Sequence, residues 1–316
     1  MPTPSRSPRL SALLVAIMVA MIGVPAALTL RTVRLSALNP AIASNPGSSP
    51  YGYTISLLLF IVPILVIAFW FLPQQGVKVS KKSFWWTIGL LFPIGAGLDF
   101  FFAQYFFVFP NEAATLGIKA PALGAPVPIE EYLFYLTGFL CVLLLYIWLD
   151  EYWLSAYSIQ DESAERKEFH RLFKLHPESI VLAFVLVAGA IIYKKHFSNS
   201  PAGFPGYFIF LALTALVPSS ALLPSARPVI NWRAFSLAAF FVLLVSLIWE
   251  ATLAIPYGWW NFRDEQMLGI RITAWGYLPI EEICLWMVVT YATVIVYETV
   301  KCWKSTEKTM RQALFG

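Results

Sequence analysis

Charge is scarce in this sequence. Of its 316 residues only 13% are Asp, Glu, Lys or Arg, against roughly 25% in an ordinary soluble chain. That shortage excludes a conventional water-soluble domain of any size. The net charge of +4 is small, and no basic stripe gathers it, so the pattern of a nucleic-acid-binding chain is missing. Cysteine is limited to Cys141, Cys284 and Cys302. The first two fall inside apolar runs, which leaves no disulfide framework and no metal-thiolate spacing. The histidines are His170, His176 and His196, with no pair at i, i+4, and this speaks against a zinc site. No Gly-x-Gly-x-x-Gly follows a strand, so a nucleotide fold is absent. No serine-nucleophile motif is present either. The period-two alternation of a membrane β-barrel is also missing.

Long apolar runs are abundant. Hydrophobic residues make up 59% of the chain and the mean hydropathy is +0.69. A helix needs about 20 apolar residues to cross a hydrocarbon core. In lipid the backbone must satisfy its own hydrogen bonds, so such runs predict helices. Eight spans are expected, near 10–30, 53–71, 84–107, 128–149, 179–193, 206–223, 234–255 and 279–300. The first follows Arg6 and Arg9, as a signal peptide would, but its length and the trailing Arg31 and Arg34 favour a retained helix. The expected class is therefore an all-α, polytopic transmembrane bundle of about eight helices whose environment is the lipid bilayer. Lys and Arg concentrate in the two terminal segments and the even-numbered loops, Lys78, Lys81, Lys82, Arg166, Arg227 and Lys301 among them. That bias puts both termini in the cytoplasm.

The chain is written twice. Leu116-Gly117-Ile118-Lys119 leads to Pro128-Ile129-Glu130-Glu131, and Leu268-Gly269-Ile270-Arg271 leads to Pro279-Ile280-Glu281-Glu282. Asp99 lies 31 positions before Glu130, and Glu250 lies 31 positions before Glu281. Two membrane repeats are expected, 1–155 and 156–316, each of four helices. An even number of spans per copy makes the copies parallel. The joint near 150–178 is the most polar stretch. Phe169, Leu172 and Phe173 within it fit either a surface helix or a plain linker.

Topology brings six carboxylates to one end of the bundle. Asp99 and Glu250 fall roughly 10 Å below the interface at 1.5 Å per residue. Glu130, Glu131, Glu281 and Glu282 begin their helices. Acids in a first turn complement the helix dipole, which is reason enough for one such motif. Two copies, each matched by an intramembrane acid, point to a functional site. Neighbouring residues point about 100° apart on a helix, so one glutamate of each pair can face the interior while the other braces a loop. Lys119 and Arg271 fit either as partners of a carboxylate or as interfacial anchors. Without metal or nucleotide, the chemistry left to buried carboxylic acids is proton transfer, for instance to a carbon–carbon double bond in a lipid. Aromatic residues crowd the same end, among them Phe106, Trp249, Tyr257, Trp259, Trp260 and Phe262. Their π faces can stabilise a carbocation, although an interfacial aromatic belt explains many of them equally.

The doubled Pro-Ile-Glu-Glu with an acid upstream, together with Trp260-Asn261-Phe262 and Gly269, resembles the membrane-embedded, non-flavin lycopene β-cyclases. In that family two similar halves occur fused or as separate chains. The resemblance covers about 99–150 and 250–298, and the second half fits better. The first half has Val108-Phe109-Pro110-Asn111 where the tryptophan motif stands. The chain exceeds the family's minimal form by about one helix per half. The resemblance implies acid-catalysed cyclisation of a linear carotenoid end to a β-ionone ring, an isomerisation without a cofactor. It implies acid and base among Glu130, Glu131, Glu281 and Glu282, with Asp99 and Glu250 tuning or relaying protons. It implies a substrate wall including Phe106, Trp249, Tyr257, Trp259, Trp260, Asn261 and Phe262. The alternatives are a carotenoid hydratase, in which water quenches the same cation, and a cyclase of another prenyl substrate. A proton-coupled transporter is more distant, because its acids should form a path to both faces.

Overall fold

A computed structural model describes residues 49–71, 79–158, 177–305, 309 and 312. The expected span 10–30 and the aromatic positions Phe169, Leu172 and Phe173 lie outside these residues. Among the described residues seven helices are long and apolar enough to cross a membrane. They are α1 (Gly52–Val66), α2 (Lys81–Phe106), α3 (Ile129–Trp148), α4 (Pro177–His196), the pair α5 (Gly206–Leu211) and α6 (Val217–Ala226), α7 (Trp232–Trp249) and α8 (Ile280–Lys304). A π turn, Ala212–Leu216, fuses α5 and α6 into one span. The protein is an integral membrane protein, an all-α bundle in which each apolar run among the described residues has become a helix.

Several helices depart from ideal geometry. Pro63 and Pro93 lie inside α1 and α2, which membrane helices tolerate because neighbours re-satisfy the freed carbonyls. α3 runs on through a π turn, Leu149–Trp153. Asp150 therefore belongs to the buried end of a helix and not to the polar joint expected from sequence. α7 starts on Asn231, whose side chain accepts from the N–H groups of Arg233 and Ala234, each at 3.2 Å. It ends in a π turn, Glu250–Ala254.

α3 and α8, the glutamate-bearing helices, pack against each other at the centre. α2 of the first half lies on α8 of the second, and α7 of the second lies on α3 of the first. The halves are thus interlocked. Away from the glutamate pairs, a buried polar knot ties α3, α7 and α8. Tyr146 donates to Glu298 at 3.1 Å and Lys301 reaches Glu298 at 3.3 Å. Asn231 donates to Asp150 at 2.8 Å and to the Tyr146 hydroxyl at 3.3 Å. Intramembrane acids are therefore not confined to one end, as the sequence suggested. The two at this end are held by hydrogen bonds and an ion pair.

Among the described residues the connecting loops hold three two-residue antiparallel ladders, too short to leave an alternation in sequence. β2 (Lys119–Ala120) pairs with β3 (Val127–Pro128), and β5 (Arg271–Ile272) pairs with β6 (Leu278–Pro279). β1 (Phe107–Val108) pairs with β4 (Asn261–Phe262) and joins the two halves.

Candidate active site

The two ladders within the halves explain the Leu-Gly-Ile-Lys/Arg motif. In each copy the segment folds back onto the proline that precedes the helix. Ile129 N–H donates to the Ile118 carbonyl, and Ile280 N–H to the Ile270 carbonyl, both at 3.0 Å. The turn needs a left-handed residue, supplied by Gly117 at φ +72° and Gly269 at φ +93°. The leucine before each glycine then presents its N–H to the first glutamate of the pair. Leu116 N–H donates to Glu130 Oε1 at 2.8 Å, and Leu268 N–H donates to Glu281 Oε1. Glu130 also accepts from the Thr54 hydroxyl at 2.6 Å. The first glutamate of each pair is a brace between loop and helix.

The second glutamate, one helical step on, faces elsewhere. Glu131 sits beside Tyr53 and Asp99. Glu282 sits beside Glu250 and Tyr207. Each half therefore holds one tyrosine, one upstream acid and one glutamate. Trp286 donates its indole N–H to Glu250 Oε1 at 2.6 Å. Tyr135 stands within electrostatic range of all four inner acids, Asp99, Glu131, Glu250 and Glu282. Relative exposure is 0% for Asp99, Glu130, Glu250 and Glu281, 2% for Glu282 and 6% for Glu131, so the cluster is shut off from bulk water. Both oxygens of Asp99, Glu131 Oε1, Glu250 Oε2 and Glu282 Oε1 have no hydrogen-bond donor among the described residues, and the same holds for Oε2 of Glu130, Glu281 and Glu298. Buried carboxyl oxygens are normally paired. An array of unpaired ones in a dry site is suited to exchanging protons with something that enters it.

Lys119 and Arg271 make their ion pairs outside this cluster. Lys119 pairs with Glu112 at 3.0 Å and Arg271 pairs with Asp264. Each cation thus closes its own loop on an acid seven positions earlier. Buried Lys194 clamps the second loop, donating to Ser200 Oγ and the Asp264 carbonyl, both at 2.8 Å.

The aromatic residues divide between the halves in a crossed fashion. Second-half Trp249, Trp259 and Trp260 surround first-half Tyr53, with ring centroids 5.2–6.2 Å away. Phe134 stacks on Trp249 at 5.7 Å, and Trp249 donates to Ser56 Oγ. Tyr257 lies at the margin, against Trp259. First-half Phe106 and Phe107 instead pack on second-half Tyr207, both at 5.3 Å. Asn261 and Phe262 stay in the β1–β4 ladder, with Phe262 against Phe107. The residues expected to form one substrate wall therefore form two groups. Below the tryptophan group, a cavity of about 120 Å³ runs between α1, α3 and α7, with Phe60, Phe134, Gly138, Trp249 and Trp286 on its wall.

Tyr53, Tyr207, Tyr135, Phe134 and Trp286 escaped the sequence reading. The signals were present. Gly52-Tyr53 and Gly206-Tyr207 open equivalent spans, and Tyr135 and Trp286 each stand four positions after the second glutamate of a pair.

Fold and site together define a polytopic membrane protein with a dry carboxyl cluster at one end of its bundle. The chain belongs to the lycopene cyclase family, whose sequence pattern matches residues 50–149 and 204–300. The matched regions cover α1–α3 in the first half and almost all of α5–α8 in the second, with α4 between them. No curated protein and no solved structure matches the chain.

Proposed function

We propose that this cyclase isomerises the ends of a linear carotenoid to β-ionone rings by acid catalysis. A carboxylic acid gives its proton to one carbon of the terminal double bond. The resulting tertiary cation is attacked by the electron pair of the neighbouring double bond, which closes a six-membered ring. A carboxylate then takes a proton from the ring cation. One proton enters and one leaves, so the product is an isomer and no redox equivalent is consumed. Glu131 and Glu282 are the members of the pairs that exchange protons, with Asp99 and Glu250 relaying to them and Glu130 and Glu281 holding the loops. The tryptophan faces stabilise the cation without trapping it. A dry pocket keeps water from adding to it.

The observation that carries this reading is the set of unpaired, buried carboxyl oxygens on the inner acids of a lycopene cyclase family member. Both termini are proposed to lie in the cytoplasm, and the repeats to divide near residue 155. The test is expression in a lycopene-accumulating bacterium followed by chromatography and mass spectrometry. Cyclic products of unchanged mass are expected. Products heavier by one water would establish a hydratase, and dependence on reduced flavin would contradict the redox-neutral scheme.

A further inference from the structure

The internal repeat builds a second groove, and the two differ in a way that bears on how many ends react at once. The groove already described is walled by α1, α3 and α7. A second lies between α2, α5 and α8, the equivalent helices of opposite halves, with Tyr135 of α3 on its wall. The linings correspond position by position. Phe134 and Gly138 of α3 match Leu285 and Val289 of α8, Trp249 matches Leu98, and Trp286 matches Tyr135. The substitutions change both size and chemistry. Glycine opposite Trp286 leaves room, whereas valine fills the same place. The second groove holds about 30 Å³ against about 120 Å³ in the first. An apolar cavity on the order of 150 Å³ accepts benzene, and the second groove falls several-fold short of that. Only the first groove approaches the size of a six-carbon ring. It alone carries tryptophan faces, and Trp286 on its wall touches Glu250.

We propose that only the groove between α1, α3 and α7 receives the end of a linear polyene, and that the second groove is a closed relic of the repeat. This rests on the cyclase reading. Rings are then made one at a time, and a bicyclic product requires the monocyclic one to leave and return end for end. Excess linear substrate competes with that return.

Gly138 and Ala215 offer matched tests. A Cβ on Gly138 would meet Trp286 at 3.5 Å, ordinary contact, so Gly138→Leu adds its bulk to the open groove. Ala215→Leu adds three carbons, one fewer, to the small one. In membranes supplied with lycopene, Gly138→Leu should lower formation of the first and second ring together, by about 10²-fold for a displaced reacting end. Ala215→Leu should leave both unchanged, and the monocyclic fraction should rise with lycopene concentration. Loss of one ring only in Ala215→Leu, or full activity in a folded Gly138→Leu, overturns the proposal.

A second measurement needs neither variant nor turnover. Cys141 lines the open groove, and Cys284 lies on neither wall. β-Ionone should slow alkylation of Cys141 by N-ethylmaleimide, read by peptide mass spectrometry, and leave Cys284 unaffected. Equal rates at Cys141 with and without β-ionone overturn the groove assignment whatever the activity. A shielded Cys141 in a chain that closes no ring would instead sink the cyclase reading and leave the groove standing.

Discussion

Glutamine substitution of all four paired glutamates separates proton exchange from helix bracing. Gln keeps the length and an accepting oxygen but cannot trade a proton at neutral pH. At Glu130 that oxygen still receives Leu116 N–H and the Thr54 hydroxyl. Weakening these two bonds costs about 1 kcal/mol of stability. Glu281→Gln should behave alike, because its side chain likewise accepts the N–H of the leucine before the turn. Activity in both variants should stay near that of the parent. Glu131 and Glu282 stand beside the upstream acids Asp99 and Glu250 instead of bracing a loop, so glutamine there removes the proposed chemistry and little bracing. Loss of a positioned acid or base costs about 10²-fold or more. That corresponds to ~2.7 kcal/mol of barrier at about 1.36 kcal/mol per tenfold. The sequence alone favoured the second-half pair, Glu281 and Glu282, as the stronger one. The structure moves the expectation to the second member of each pair. Turnover would be measured in membranes by pigment chromatography, with yield and thermal unfolding in detergent as the folding control. Folded and fully active Glu131→Gln and Glu282→Gln variants would refute the reasoning. So would an inactive but stable Glu130→Gln.

Two further predictions concern the loops and the topology. Gly117→Ala should cost about 1–2 kcal/mol for a left-handed residue. Gly269→Ala should cost about 1 kcal/mol more, because its Cβ would displace the Ser198 hydroxyl that accepts from Ser200 N–H, and Tm values in detergent would rank the two. Reporter fusions after residues 50 and 120 should be external and a fusion in the 160s internal, and a reversed pattern would overturn the cytoplasmic placement of the termini.

Seven of the eight spans could be read from sequence to within a few residues, since apolar length decides them and needs no knowledge of neighbours. The paired glutamates and their upstream acids were equally legible, because an ionisable residue in an apolar run stands out whatever surrounds it. The 100° step along a helix even showed that the members of a pair must diverge. Which member points inward was settled only when the Gly117 and Gly269 turns brought Leu116 and Leu268 back to Glu130 and Glu281. Periodicity describes one helix against its own axis and is silent about which helix lies opposite. For that reason Asp150 read as linker and Glu298 went unnoticed until their partners appeared, Asn231 at the start of α7 and Tyr146 on α3. The same reason hid the crossing of the halves. Trp249, Trp259 and Trp260 belong to the second copy in sequence, yet they close around Tyr53 of the first, because α7 packs on α3. Local sequence determined the helices and the acids; the packing between the two copies decided which acids meet, and left one of two equivalent grooves larger than the other.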